Sequence, residues 1–250
     1  MNRAIPTFSL GAILLLVIGF YLGWSLFVDP DSAPRPLRPS IISSGSIRGR
    51  ITFDGPVPVA RKYSTAGFNA EPCPHSITEE RLEVGPSGGL KNAVVTVHGV
   101  PGDFKVTDDG GWVLDQVGCV FKPHILLVVK GAKISIKNSD KVAHNVNILG
   151  KKNWGINEAM IAGSVKTVSF AEAERMPVNC SIHPWMSAWI VVHENYYFAV
   201  TDTNGEFAIG GIPPGEYPVR IWHESARLES WSMKVDSGEA VILNLALTPK

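Results

Sequence analysis

The chain has 250 residues, is 45% hydrophobic and 18% charged, and carries 23 basic against 23 acidic side chains. This is the make-up of a globular protein with an apolar addition, long enough for two ordinary domains. With no net charge and no cluster of lysine or arginine, it lacks the electrostatic footprint that binding DNA or RNA requires.

The apolar addition comes first. Residues 8–28, FSLGAILLLVIGFYLGWSLFV, contain no charge, and about twenty apolar residues are enough for a helix to cross the hydrocarbon core. The run is long for a leader peptide, places Tyr21 and Trp24 near its outer end and stops at DPDSAPRP. It therefore reads as an uncleaved signal anchor occupying residues 1–28, with late cleavage as the alternative. Arg3 lies before the run and Asp29 and Asp31 after it, so the positive-inside bias places the rest of the chain outside the cytoplasm, on the periplasmic or cell-surface side. Residues 29–45 hold four prolines and four serines without periodicity, which describes a linker.

After the linker the pattern is β. SIRGRITFDG alternates Ile47, Gly49, Ile51 and Phe53 with polar residues and closes on an Asp-Gly turn. NAVVTVHG, HILLVV, AKISIKN, HNVNIL, VKTVSF, AWIVVH, EFAIGG, YPVRIWH and AVILNLAL follow, separated by Gly, Asn, Asp and Pro. Only a short polar stretch near FAEAERM hints at a helical period. The expected fold is all-β, built from sandwiches. TDTNGEFAIGGIPPGEY predicts a hairpin turn at Asn204-Gly205 and a second turn at Pro213-Pro214-Gly215.

The chemistry concentrates in CSIHPWM, residues 180–186. Copper that exchanges one electron is served by two imidazoles, a thiolate and a weak axial thioether. Cys180, His183 and Met186 supply three of these if the chain curls tightly, and Pro184 stiffens such a loop by fixing φ. The second imidazole has to come from a neighbouring strand, and His144 in NSDKVAHNVNIL is the candidate. Taken singly, Cys180 reads equally as an inert thiol, Met186 as core filler and His183 as a polar loop residue. Five further histidines, His75, His98, His124, His193 and His223, read as structural or surface groups. His124 and His223 are the first to consider for a second metal or a tuning role.

GAKISIKNSDKVAHNV followed by VNCSIHPWMSAWIVV resembles a plastocyanin-type cupredoxin, and its C-x-x-H-x-x-M loop is most similar to that of amicyanin. The resemblance covers residues 112–195 and implies a Greek-key β-sandwich holding one type 1 copper. It makes His144, Cys180, His183 and Met186 the ligands, and Asn145 an outer partner tying the histidine strand to the cysteine loop. The flanking segments 46–111 and 196–250 together resemble a carboxypeptidase regulatory-like, or transthyretin-like, sandwich, split by the copper domain. Among the cysteines, a Cys73–Cys119 disulfide would leave Cys180 free, with three buried thiols as the alternative.

Pro184 stands where a dinuclear copper loop would need a second cysteine. Structural zinc and iron–sulfur sites would call for other ligands. No hydrolase elbow, phosphate loop or zincin helix occurs. The expectation is therefore a membrane-anchored electron carrier, with a copper carrier or copper enzyme as the open alternative. His183 and Trp185 would form its exposed port, and a redox protein such as a c-type cytochrome or a membrane dehydrogenase or oxidase would be its partner. The rival expectation is a copper-free adaptor of the cell envelope.

Overall fold

Why some strands here are apolar throughout while others alternate follows from how four sheets are stacked. The computed structural model describes residues 43–68, 73–104, 106 and 111–250. The apolar run 8–28 and residues 29–42 of the linker lie outside the described residues. Among the described residues no helix is long and apolar enough to cross a membrane. All of them belong to one unit spanning Ile41–Lys250.

The strands are β1 (Gly45–Phe53), β2 (Lys62–Ser64), β3 (Ser76–Thr78), β4 (Val94–Val97), β5 (Val113–Gln116) and β6 (Phe121–Lys122). Next come β7 (Ile125–Val129), β8 (Lys133–Asn138), β9 (His144–Ile148), β10 (Ile156–Met160), β11 (Val165–Ser169) and β12 (Glu174–Asn179). The chain ends with β13 (Ser187–His193), β14 (Phe198–Val200), β15 (Glu206–Ile212), β16 (Gly215–His223), β17 (Ala226–Val235) and β18 (Ala240–Leu247). All described regular structure is β, including the region of FAEAERM, where β12 begins at Glu174.

One pair of sheets has the orders β15-β1-β18 and β14-β4-β16-β17. Ile47, Ile51, Ile209 and Leu247 from the first meet Val95, Val97, Val219 and Ile221 from the second in one core. The other pair has the orders β10-β9-β12-β13-β7 and β11-β8-β5-β6. Its core joins Val146, Val178, Ile190 and Leu126 to Leu114, Phe121, Ile134 and Ile136. Each is a sandwich of two sheets facing across an apolar layer.

The two sandwiches also pack back to back. Val94, Trp222, Ile125, Leu127 and Val191 form a third apolar cluster between the sheet containing β4 and β16 and the sheet containing β7 and β13. β4 and β7 are covered on both faces, so they are buried along their whole length, whereas β18 on an outer sheet alternates. At about 1.5–3 kcal/mol per buried large apolar side chain, this cluster rather than any ion pair dominates the junction. The buried His124–Glu224 pair crosses the same boundary, with Trp189 Nε1 donating to Glu224 at 3.1 Å. It adds fixed orientation more than net energy, because desolvating both charges offsets their attraction.

The chain does turn at Asn204-Gly205, with Gly205 at φ 77°. The outcome differs from a hairpin, because β14 and β15 on either side enter different sheets. A Cβ on Gly205 would lie 2.0 Å from the Ile51 carbonyl oxygen, so the close approach as well as the positive φ requires glycine.

His223 closes β16 in a fully buried position. Its Nδ1 accepts from Ser225 N at 3.1 Å, a bond that only the unprotonated nitrogen makes. Burial pushes its pKa down from 6.5 to about 4. Between those values the unfolded chain binds the proton that the folded chain refuses, so stability falls as pH drops through this window. The loss reaches about 3 kcal/mol. Urea midpoints measured at pH 7 and pH 4.5 should show it, and His223→Gln, which keeps both hydrogen-bonding functions, should flatten the dependence. An unchanged slope in that variant would place the acid sensitivity elsewhere.

Candidate metal centre

Asn179 and Ser187 face each other where β12 meets β13, so residues 180–186 form the loop of a hairpin. Cys180 N donates to Met186 O at 3.1 Å and Met186 N to His183 O at 3.0 Å. The second bond closes a β-turn with Pro184 just after its first residue, where the fixed φ of proline is favourable. On the other side of β12, Asn179 is in register with Asn147 of β9. That pairing brings the start of β9, and with it His144, to the loop.

The side chains of His144, Cys180 and His183 converge in the interior, with exposures of 0%, 5% and 2%. Their ligand atoms all lie within 4.8 Å of one another. His144 Nδ1 is 2.9 Å from His183 Nδ1, and Cys180 Sγ is 3.8 Å from His183 Nδ1. Two imidazole nitrogens each about 2.0 Å from one ion stand roughly 3 Å apart, and a thiolate sulfur sits somewhat farther out. The three donors therefore fit a single soft or borderline ion with little movement. Met186 is buried at the end of the same loop.

Ring orientation is set from behind. His144 Nε2 lies 2.8 Å from Asp140 Oδ2, so a proton on Nε2 faces the carboxylate and Nδ1 faces the cluster. Asp140 is itself held by Gly118 N at 2.7 Å and Cys119 N at 2.8 Å. Gly118 and Cys119 have φ of 68° and 58°, the pair of positive angles that a two-residue hairpin turn between β5 and β6 requires. Cys119 is also joined to Cys73 by a disulfide with Cα atoms 5.6 Å apart. Cys180 is the free thiol.

The sulfur accepts from Asn145 N at 3.3 Å and His183 N at 3.4 Å. Asn145 Oδ1 accepts from Ser181 N at 3.1 Å, while its Nδ2 donates to Asn157 Oδ1 and Glu158 O. One side chain thus links β9, β10 and the loop. Burial alone would raise the Cys180 pKa, yet the hydrogen bonds from His144 and from the backbone of Asn145, His183 and Ile182 hold it below the usual thiol range. Burial likewise opposes charge on His144, but Cys180 and Asp140 outweigh it and lift its pKa. His183 is depressed, first by burial and then by the neighbouring His144. The chain is prepared to present a thiolate.

The exposed port expected at His183 and Trp185 is corrected by the structure. Trp185 is buried, and its Nε1 donates to Cys119 O at 2.9 Å. Phe68 packs edge-on against it with centroids 5.1 Å apart. The His183 ring lies beside Trp185 and is hydrogen-bonded to the Phe68 backbone. What reaches solvent from the loop is Ser181, Ile182 and Pro184. Sequence reasoning missed Asp140 and Phe68. The four-residue step from Asp140 to His144 was a readable signal for the first, and nothing local marks the second.

Asp140→Asn should leave the fold in place and weaken metal binding by roughly 10–100-fold, the usual cost of losing an outer partner of a ligating histidine. Competition with a chelator measures it. An affinity within twofold of the parent would remove Asp140 from this role.

Of the histidines outside this cluster, neither His124 nor His223 joins a group of ligands among the described residues. His98 and His193 do, together with Glu194. A third grouping of Cys119, Asp140 and His144 is closed to a metal by the disulfide.

No family model matches the chain, and no curated protein matches it. Among solved structures, a Cu(I) mutant of amicyanin aligns with 40% of this chain and 98% of its own at 21% identity and a TM-score of 0.32. A second amicyanin mutant, reduced at pH 4, covers the same shares at 22% identity and a TM-score of 0.32. A Cu-containing nitrite reductase from Thermus scotoductus aligns with 39% of this chain and 25% of its own length, at 20% identity and a TM-score of 0.33.

Proposed function

We propose that this chain is a membrane-anchored type 1 copper protein that carries single electrons between redox partners outside the cytoplasm. The observation that carries the reading is the convergence of two imidazole Nδ1 atoms and one thiol in a buried pocket. A copper ion bound there would supply reversible one-electron chemistry. His144, Cys180 and His183 would hold it, and Met186 would add a weakly bound thioether. Asp140 and Asn145 fix the ring and the sulfur, so the ligands stay in place when the charge changes. The Phe68–Trp185 pair keeps water from the His183 side.

Electrons would enter through the loop itself, where Ile182 and Pro184 lie one residue away from His183. A c-type cytochrome or a membrane dehydrogenase or oxidase would touch this small apolar rim and leave again, as transient redox contacts do. The run at residues 8–28 would tether the protein, and the outer sandwich, of the carboxypeptidase regulatory-like kind, would set the distance from the bilayer.

The test is an optical and spin-resonance spectrum of the full chain in detergent, with and without one equivalent of copper. Stoichiometric copper with an intense visible thiolate band supports the reading. A colourless chain that takes up no copper would return it to the adaptor alternative.

A further inference from the structure

His98 follows β4 in one sandwich, and in the other His193 ends β13 and Glu194 follows it. Their ligand atoms nonetheless lie within 4.8 Å of one another, and His98 Nδ1 is 3.4 Å from Glu194 Oε1. The two rings meet edge to face, with centroids 4.7 Å apart. His193 is 4% exposed, and its Nε2 has no hydrogen-bond partner. An orphaned polar atom at that depth is destabilising unless a ligand or ion meets it.

Tautomers follow from the neighbours. Thr96 Oγ1 donates to Arg220 O at 3.3 Å, which leaves its oxygen to accept from His98 Nε2–H at 3.0 Å. In that tautomer the His98 Nδ1 lone pair faces Glu194; in the other, Nδ1–H points to the carboxylate and a bound metal displaces the proton. His193 Nδ1 is placed both to donate to Asn195 O and to accept from Asn195 N, each at 3.3 Å, and the tautomer that donates leaves the Nε2 lone pair to bind a metal. A backbone carbonyl behind a ligating imidazole is the ordinary way to hold one. Gly99 N also donates to Glu194 Oε1 at 3.3 Å and fixes the carboxylate. All three side chains line an open groove of about 520 Å³, so water can complete a coordination shell.

We propose that His98, His193 and Glu194 form a second metal site, which takes one divalent ion of the zinc and copper(II) class and clamps the two sandwiches together. Two imidazoles and one carboxylate without a thiolate select such ions over Cu(I). The site is independent of the reading given for Cys180. Arg220 also lines the groove and opposes a cation, so the site is moderate in affinity and depends on the charge of Glu194.

Zinc titration of the full chain in detergent tests this, with Cys180→Ala introduced to weaken the other cluster. The expected result is one zinc per chain. Its affinity falls about 100-fold in His98→Ala and in Glu194→Gln, and rises severalfold in Arg220→Gln. Zinc should also raise the unfolding midpoint of the Cys180→Ala chain but not that of the His98→Ala derivative. Both ligand positions are partly exposed, so these variants fold even if the buried His193→Gln does not, and circular dichroism checks each. Zinc affinity that is absent in Cys180→Ala, or unchanged in both variants, overturns the proposal.

Discussion

Cys180→Ser is expected to abolish the visible copper band and to weaken copper binding by well over 100-fold. A serine hydroxyl is a hard donor that stays protonated near neutral pH, whereas Cys180 would be the soft, strongly bound ligand of the proposed site. The substitution removes one sulfur from a buried position that already receives the backbone N–H groups of Asn145 and His183. The serine oxygen can accept from either, so the fold should survive and the loss should be confined to the metal. Without the thiolate, one of the groups that raises the His144 pKa is gone, and burial then favours its neutral form. Spectra with and without copper, read beside circular dichroism, provide the measurement. If the band persists, the chromophore does not involve this sulfur and the assignment fails.

Removing the disulfide by Cys73→Ala with Cys119→Ala should cost about 4 kcal/mol from chain entropy alone, given a sequence separation of 46. The same change loosens the chain just after Phe68, the residue that covers Trp185. Copper should therefore leave faster to a chelator, in addition to the fall in urea midpoint. Phe68→Ala separates the two effects, since it uncovers Trp185 while keeping the cross-link. A stability loss of less than about 1 kcal/mol in the double variant would mean that the local hydrogen bonds, with Asp140 gripping Gly118 and Cys119, already fix the turn.

Much of the fold was readable because burial writes itself into the strands. HILLVV and AWIVVH mark strands covered on both faces, and AVILNLAL marks one covered on a single face. The strands that were missed carry weaker signals. β10 and β17 run along sheet edges with mostly exposed side chains. β12 contains Pro177, which argues against a central strand. It is tolerated because pairing with β9 is confined to Val178 and Asn179, beyond the missing N–H.

The metal cluster was legible through spacing, since a hairpin loop keeps Cys180, His183 and Met186 together whatever surrounds them. The cover over His183 was not, because Phe68 arrives from a segment whose path only the tertiary fold determines. His98 and His193 were unreadable for the same reason. Each stands alone in its strand, and only the back-to-back stacking of two sheets brings them face to face.

That stacking bears on how the molecule can be divided. Expressed without residues 112–195, the remaining chain would turn Val94 and Trp222 toward water, and the excised piece would do the same with Ile125, Leu127 and Val191. Neither fragment would stay soluble for long without the other. Dissecting this protein therefore calls for point substitutions within the intact chain rather than truncation.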